Sequence, residues 1–168
     1  MEGGWRHGGA EPLAAVFGER FLGRLQKGQP GECFGPPTLA HSYSYVDDVA
    51  SGLVTLALKA DVSMGEVWHL PVAPAESTAA VVAHFGRAMG LPRPLPTSQV
   101  PGFVLQVMGV FSPPVKEMLE MHSQWQTPFV LDDAKFRARF GGTATSYEAG
   151  TRATVAWLQA QLHTRAAA

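Results

Sequence analysis

Residues 41–50, His-Ser-Tyr-Ser-Tyr-Val-Asp-Asp-Val-Ala, constrain the fold of this chain more than any other stretch. Tyr43 and Tyr45 alternate with serines, which is the two-residue period of a half-buried strand. Asp47 stands where a helix start favours an N-cap residue, and with Asp48 it places negative charge at the positive end of the helix dipole. The segment therefore predicts a strand that runs directly into a helix, with polar groups where they meet. Apolar residues spaced three and four positions apart predict the inward face of this helix: Val49, Leu53, Leu56 and Ala57.

The rest of the chain predicts further helices separated by short strands and by segments rich in Pro and Gly. Two caps mark helix starts, Ser77 or Thr78 for one and a Thr145-to-Glu148 capping box for the last. The segment 66–70 alternates like a strand, so residues 41–70 suggest a parallel crossover of strand, helix and strand. The other predicted helices cover 12–27, 74–90, 99–111, 115–121 and a helix capped by Asp132 that ends near 141. Short strands are expected at 32–34, 97–100 and 129–131.

The length and composition suit one domain. With 168 residues, of which 46% are hydrophobic, the chain can bury a single core. We expect a flexible arm at 1–11, one domain at 12–163 and a disordered tail at 164–168. The net charge of −1 and the lack of a Lys/Arg cluster disfavour nucleic acid and membrane surfaces as partners. The apolar run 103–111 is too short to span a bilayer and no signal peptide is visible, so we expect a soluble, cytoplasmic protein.

Motifs for several reaction classes do not occur in this sequence. It has no GxSxG elbow, no HExxH, no P-loop and no paired cysteines. Its six histidines show no close pairing, so no metal site is predicted. Cys33 is expected to be buried and inert, because Glu32 beside it opposes thiolate formation.

Four blocks in the chain resemble, in order, the C-terminal portion of the NAD-dependent epimerase/dehydratase family, the extended short-chain dehydrogenases/reductases. The blocks are HSYSYVDDVASGLVTLAL, GEVWHLP, FVLDDAKFRARFG and TSYEAGTRATVAWL. Their family counterparts read as an aromatic strand plus VDDVA, a GEVYNLG-like strand, a DxSKxRxxLG helix and a helix with S/T-x-E-E-G. A helix containing VFGERF precedes them, and the resemblance covers roughly residues 13–162.

The resemblance implies an α/β fold: the helix-rich substrate-binding part of a Rossmann-type enzyme, with few short strands and no complete nucleotide-binding sheet. The family's GxxGxxG fingerprint and catalytic YxxxK do not occur here, since no tyrosine of the matching region has a lysine four residues on. We therefore expect no catalytic residue and no cofactor bound by this chain alone, with NAD or NADP bound in the full-length family. A truncated gene product is the expected explanation.

The resemblance also suggests substrate-side residues. His41 occupies the slot of a diphosphate-binding arginine, beside Tyr43, and His69 takes the place of an asparagine at a strand end. Phe34 resembles a position that flanks a base. Independently of the resemblance, Trp125 could line a pocket with Met118, Met121 and His122.

Each of these assignments has a structural alternative. The tyrosines, Phe34 and the Trp125 cluster could be core, and His69 a satisfied strand-end histidine. Asp47 and Asp48 are interpreted as caps, and Lys135 and Arg137 as a solvated helix face.

The leading hypothesis is thus the substrate-binding portion of an NAD(P)-dependent epimerase/dehydratase or reductase-like protein, taking a small-molecule substrate. The alternative is a non-catalytic module that binds small molecules or proteins. In either case the surface left by a missing Rossmann half would be apolar and could support a homo-oligomer.

Overall fold

The computed structural model describes residues 19–33, 35–92, 95–99, 101–111, 116, 119–120 and 122–166. The predicted arm 1–11, the start of the first predicted helix, Phe34 and most of the predicted helix 115–121 lie outside these residues. The helices are α1 (Glu19–Gln26), α2 (Val46–Leu58), α3 (Ala60–Ser63), α4 (Thr78–Ala88), α5 (Gly102–Phe111), α6 (His122–Trp125), α7 (Ala134–Phe140) and α8 (Tyr147–Ala166). The strands are β1 (Gly31–Cys33), β2 (Ala40–His41), β3 (Glu76–Ser77) and β4 (Thr97–Gln99).

The described strands form two small sheets. β1 pairs with β4 in parallel, with Gly31 opposite Thr97. β2 pairs with β3 in the antiparallel sense, with His41 opposite Glu76, and Phe129 adds a parallel bridge to His41. Many helices and few short strands agree with the predicted α/β class.

The core lies where α1, α4 and α8 meet. Ser77 caps α4 by accepting a hydrogen bond from the Ala80 N–H at 3.2 Å, as one of the two predicted caps. Gly90 closes the helix region with a φ of +69°, a conformation that an L side chain rarely adopts. The buried apolar cluster consists of Phe21, Leu25, Val81, Val82, Phe85, Val155 and Leu158.

The predicted strand at 66–70 does not form, so the parallel crossover over residues 41–70 is wrong. The alternation itself is real, because Trp68 and Leu70 are half-buried while Val67 and His69 are exposed. No strand among the described residues lies beside this segment to complete a ladder. Its groups bond to α7 instead, since the Lys135 ammonium donates to the Val67 carbonyl at 3.1 Å.

The aromatic strand also begins and ends earlier than the sequence suggests. β2 stops at His41, so Tyr43 and Tyr45 lie in the connection to α2 and His41 lies inside the strand. The backbone beyond β2 is held by other groups: the Tyr43 N–H donates to the Tyr147 hydroxyl at 3.3 Å. A side-chain hydroxyl can thus satisfy a backbone N–H that would otherwise bond to a neighbouring strand. An alternating sequence pattern is therefore compatible with a segment that is not a strand.

Helix α2 forms as predicted, but its start and its inward face differ. Its N-cap residue is Tyr45, which makes no side-chain capping bond, so capping by Asp47 is wrong. The helix turns Gly52 inward, where an added Cβ would lie 2.8 Å from a Leu70 methyl carbon. Leu53 and Ala57, expected inside, are exposed.

Asp48 holds the start of α8 to the start of α2. Its two carboxylate oxygens accept hydrogen bonds from the Thr145 N–H at 2.7 Å and the Thr145 hydroxyl at 2.8 Å. Ser146, rather than Thr145, accepts from the Ala149 N–H at the beginning of α8. The Thr145 capping box is therefore wrong, because the Thr145 hydroxyl is used by Asp48.

Two helices expose apolar side chains that no described residue covers. In α2 and in α5, four apolar residues each are more than half exposed. They are Val46, Leu53, Val54 and Leu58 in α2, and Phe103, Val107, Val110 and Phe111 in α5.

Candidate functional site

An open pocket of about 450 Å³ lies between residues 72–75 and the starts of α7 and α8. Its walls are residues 72–75, 130–131 and 143–144, with Asp133, Arg137 and Ser146. Most of these side chains are apolar, and the volume falls within the range of small-molecule sites, about 300–1,000 Å³. The pocket is the candidate functional site.

Asp133 and Arg137 form the polar wall of this pocket. Asp133 Oδ2 accepts from Arg137 Nε at 2.8 Å and lies 2.7 Å from Arg137 Nη2. The same oxygen accepts the Val72 N–H at 2.8 Å. The hydrogen bond from Arg137 lowers the pKa of Asp133 below its ordinary value and raises that of Arg137. The pair is therefore an ionised, mutually neutralised unit.

Arg137 also ties α7 to both neighbouring segments. Its Nη2 donates to the Val72 carbonyl at 3.0 Å, and its Nη1 donates to the Gly142 carbonyl at 3.3 Å. The spacing of four residues places Asp133 and Arg137 on one face of α7. Lys135 is exposed as predicted, whereas Arg137, with 36% of its side chain exposed, is also ion-paired to Asp133, and the Asp-x-x-x-Arg spacing was the signal that could have shown this pair.

Asp132 precedes this pair and contributes to the start of α7. Its Oδ1 accepts the Ala134 N–H at 2.9 Å, but Asp133 occupies the N-cap position, so capping by Asp132 is wrong by one residue. The Asp132 carbonyl lies 2.9 Å from His69 Nδ1. Because a carbonyl can only accept, Nδ1 is the donor in this hydrogen bond. His69 is exposed and precedes Val72, the first residue of the pocket wall, by three positions.

His41, by contrast, is only 3% exposed. Its Nδ1 and Nε2 lie 3.3 Å and 3.4 Å from the carbonyl oxygens of Leu39 and Gln124. A neutral imidazole can donate to only one of these two acceptors. The ring stacks on Trp125 with centroids 5.4 Å apart.

Tyr43 lies beside this stack, with its ring centroid 6.1 Å from that of His41. Its hydroxyl is 2.7 Å from Thr78 Oγ1, and burial raises the pKa of Tyr43 above its ordinary value. The structure thus brings His41, Tyr43 and Trp125 together, but neither these three residues nor His69 are among those that line the pocket. The assignment of these residues to substrate binding stays a prediction.

The reactivity of Cys33 and the absence of a metal cluster among the described residues also bear on the chemistry. Cys33 is buried, and burial raises the pKa of its thiol to about 11, which agrees with the prediction of an inert cysteine. Across the part of the chain that the structure describes, no three His, Cys, Asp or Glu side chains converge in a way that could hold a metal ion. Within those same residues, no helix combines the length and apolar character needed to cross a membrane.

Comparison with known proteins yields a fold likeness. No protein-family model matches the chain, and no curated protein matches it. The crystal structure of UDP-glucuronic acid 4-epimerase from Bacillus cereus in complex with NAD is similar, with a TM-score of 0.56 and 16% sequence identity. The likeness covers 84% of this chain but 37% of that one. At this identity it shows a shared fold, and the chain spans little more than a third of the length of the epimerase that it resembles.

Proposed function

We propose that this chain is the substrate-binding portion of an NAD(P)-dependent epimerase/dehydratase or reductase-like protein. The observation that carries the proposal is the fold likeness to part of an NAD-containing epimerase, together with the four sequence blocks in family order. The pocket of about 450 Å³ is where the substrate would bind. As the sequence suggests, we assign His41, Tyr43, His69 and Trp125 to the substrate side of the protein; Phe34, the fifth predicted residue, lies outside the described residues.

The chemical step belongs to residues outside this sequence. In the resembling family a tyrosine acid/base works with a lysine four residues later, which lowers its pKa. Here Tyr43 is followed at that spacing by Asp47, and Tyr147 by Thr151. The pKa of Tyr43 is raised rather than lowered, which is the wrong direction for a tyrosine that must act as a base. NAD or NADP would bind to a separate nucleotide-binding portion.

The genomic DNA upstream of Met1 tests this proposal. We expect an in-frame or frameshifted coding segment with GxxGxxG and YxxxK. Titration of the chain alone with NADH and NADPH, followed by nicotinamide fluorescence, is expected to show no binding, and co-expression with the upstream segment is expected to restore it. Tight NADPH binding by the chain alone would contradict the proposal.

A second candidate function is a non-catalytic interaction module. It is favoured by the apolar sides of α2 and α5, which no described residue covers. A large exposed apolar surface on a helix normally marks an interface with another core or another protein. Multi-angle light scattering together with binding of an apolar dye separates the two candidates. A stable homo-oligomer that binds no apolar dye supports the module. A dye-binding species that becomes dye-free only with the nucleotide-binding portion supports the first proposal.

A further inference from the structure

We propose that the pocket takes a small neutral carbonyl compound with an apolar body, such as a ketone, an aldehyde or an ester, and not a nucleoside diphosphate. The inference rests on the proposed function only in treating the pocket ligand as the substrate. It is carried by the charge and the hydrogen-bonding capacity of the lining residues.

The charge of the pocket wall is balanced. Asp133 and Arg137 are the ionisable residues among those that line it, and they are paired at 2.7 Å. A diphosphate brings at least two negative charges, which proteins commonly meet with arginines or lysines whose charge is available. Here the guanidinium charge is already neutralised by a carboxylate on the same wall. A charged ligand would gain little from this pair and would lose the hydration of its charge. A neutral ligand does not incur that desolvation cost.

The remaining hydrogen-bonding groups favour a ligand that accepts. A guanidinium has five N–H groups, and four of those of Arg137 point to Asp133, Val72 and Gly142. Within the described residues this leaves one N–H on Nη1. Ser146 Oγ accepts from the Ala149 N–H, so its own hydrogen can be donated to a ligand. With the hydroxyl of Thr143, which also lines the pocket, these donors on a largely apolar wall suit a carbonyl oxygen.

The apolar part of the pocket sets the body of the ligand. Val72, Ala73, Pro74 and Ala75 form one wall, and Val130, Leu131 and Ala144 belong to the others. Several of these side chains are alanines, which are small, so part of the pocket volume exists because no larger side chain fills it. Replacing one of them with leucine should fill the pocket without removing a polar contact.

The test is a titration of the ¹⁵N-labelled chain followed by amide chemical shifts. The probes are 2-heptanone (neutral carbonyl), heptanoate (anion), 2-aminoheptane (cation) and UDP (diphosphate). We expect 2-heptanone to shift the amides of 72–75 and 143–144, and to bind about tenfold more tightly than each charged probe. Ala144→Leu should weaken 2-heptanone about tenfold by filling the pocket, whereas the matched Ala153→Leu, at an exposed position of α8, should bind like the parent.

Several outcomes would overturn the inference: tighter binding of UDP or heptanoate, no binding of 2-heptanone in the millimolar range, shifts confined to other residues, or unchanged binding by Ala144→Leu. The spectrum of each variant reports whether it is folded. Preference for UDP would refute the ligand class and leave the proposed function standing. NADPH binding by the chain alone would refute the proposed function and leave the pocket preference intact.

Discussion

Removing the Asp48 carboxylate should separate the starts of α2 and α8. Both carboxylate oxygens are used by Thr145, at 2.7 Å and 2.8 Å, across 97 positions of sequence. Hydrogen bonds to a charged group contribute about 1.5–3 kcal/mol each, and this pair is only partly buried. We therefore expect Asp48→Ala to lower the free energy of unfolding by about 2–4 kcal/mol, because two donors of Thr145 lose their acceptor.

Asp47 supplies the matched control. It is the neighbouring acidic residue in the first turn of α2, it is exposed, and it shares the favourable interaction with the helix dipole. Asp47→Ala should therefore cost only about 0.3–1 kcal/mol. Asp48→Asn keeps one carbonyl oxygen and should fall between the two alanine variants.

Urea unfolding followed by circular dichroism measures these differences, provided that the denaturant slope stays constant among the variants. Combining Asp48→Asn with Thr145→Val in a double-mutant cycle isolates the bond between the two side chains. The reasoning is refuted if Asp48→Ala and Asp47→Ala are equally stable, or if the cycle shows no coupling.

Three further predictions concern other parts of the molecule. Gly35→Ala should destabilise the protein by about 1–3 kcal/mol or more in thermal unfolding, because the added Cβ would overlap the Trp125 carbonyl oxygen. Cys33 should react slowly with a thiol reagent near pH 8 in the native protein and quickly in denaturant, since burial raises its pKa to about 11. Acid titration should show loss of stability below the unfolded-state pKa of Asp133. The bond from Arg137 lowers its folded pKa, so the carboxylate stabilises fully above that value and less as it becomes protonated.

Each of these predictions has a control. Gly23→Ala introduces a Cβ with nothing within 4 Å and should stabilise α1 by about 0.5–1 kcal/mol, so two equal losses would exclude a steric cause. A native thiol that reacts as fast as the denatured one would contradict the burial of Cys33. For the acid titration, Asp133→Asn should flatten the fall in stability, and an unchanged profile would show that other carboxylates cause it.

Local patterns predicted much of the fold. The apolar stripe with Ser77 at its start located α4, and the short extended pieces near 32–34 and 97–100 are now β1 and β4. The sequence did not show that these two strands pair with each other, because pairing depends on distant contacts rather than on local period. The strand predicted at 66–70 does not form for the same reason. Its alternating burial arises from packing on α7, and no described strand pairs with it.

The site was harder to predict than the fold. Residue type and family resemblance drew attention to His41, which the structure buries against Trp125. The Asp133–Arg137 pair was missed because a charged helix residue is usually solvated, and its contacts to Val72 and Gly142 arise only when the chain folds. Likewise Asp48 resembled a helix cap, but its partner, Thr145, lies just before α8.

The outward side of α2 bears on how a cell would handle this polypeptide. From Val49 to Leu58 the helix contains no charged residue, and its exposed side includes Leu53, Val54 and Leu58. A newly made chain with this surface open would be a substrate for chaperones and would aggregate as its concentration rises. Its soluble yield should therefore depend on the concentration at which it is made, and should rise if a partner that covers this surface is present.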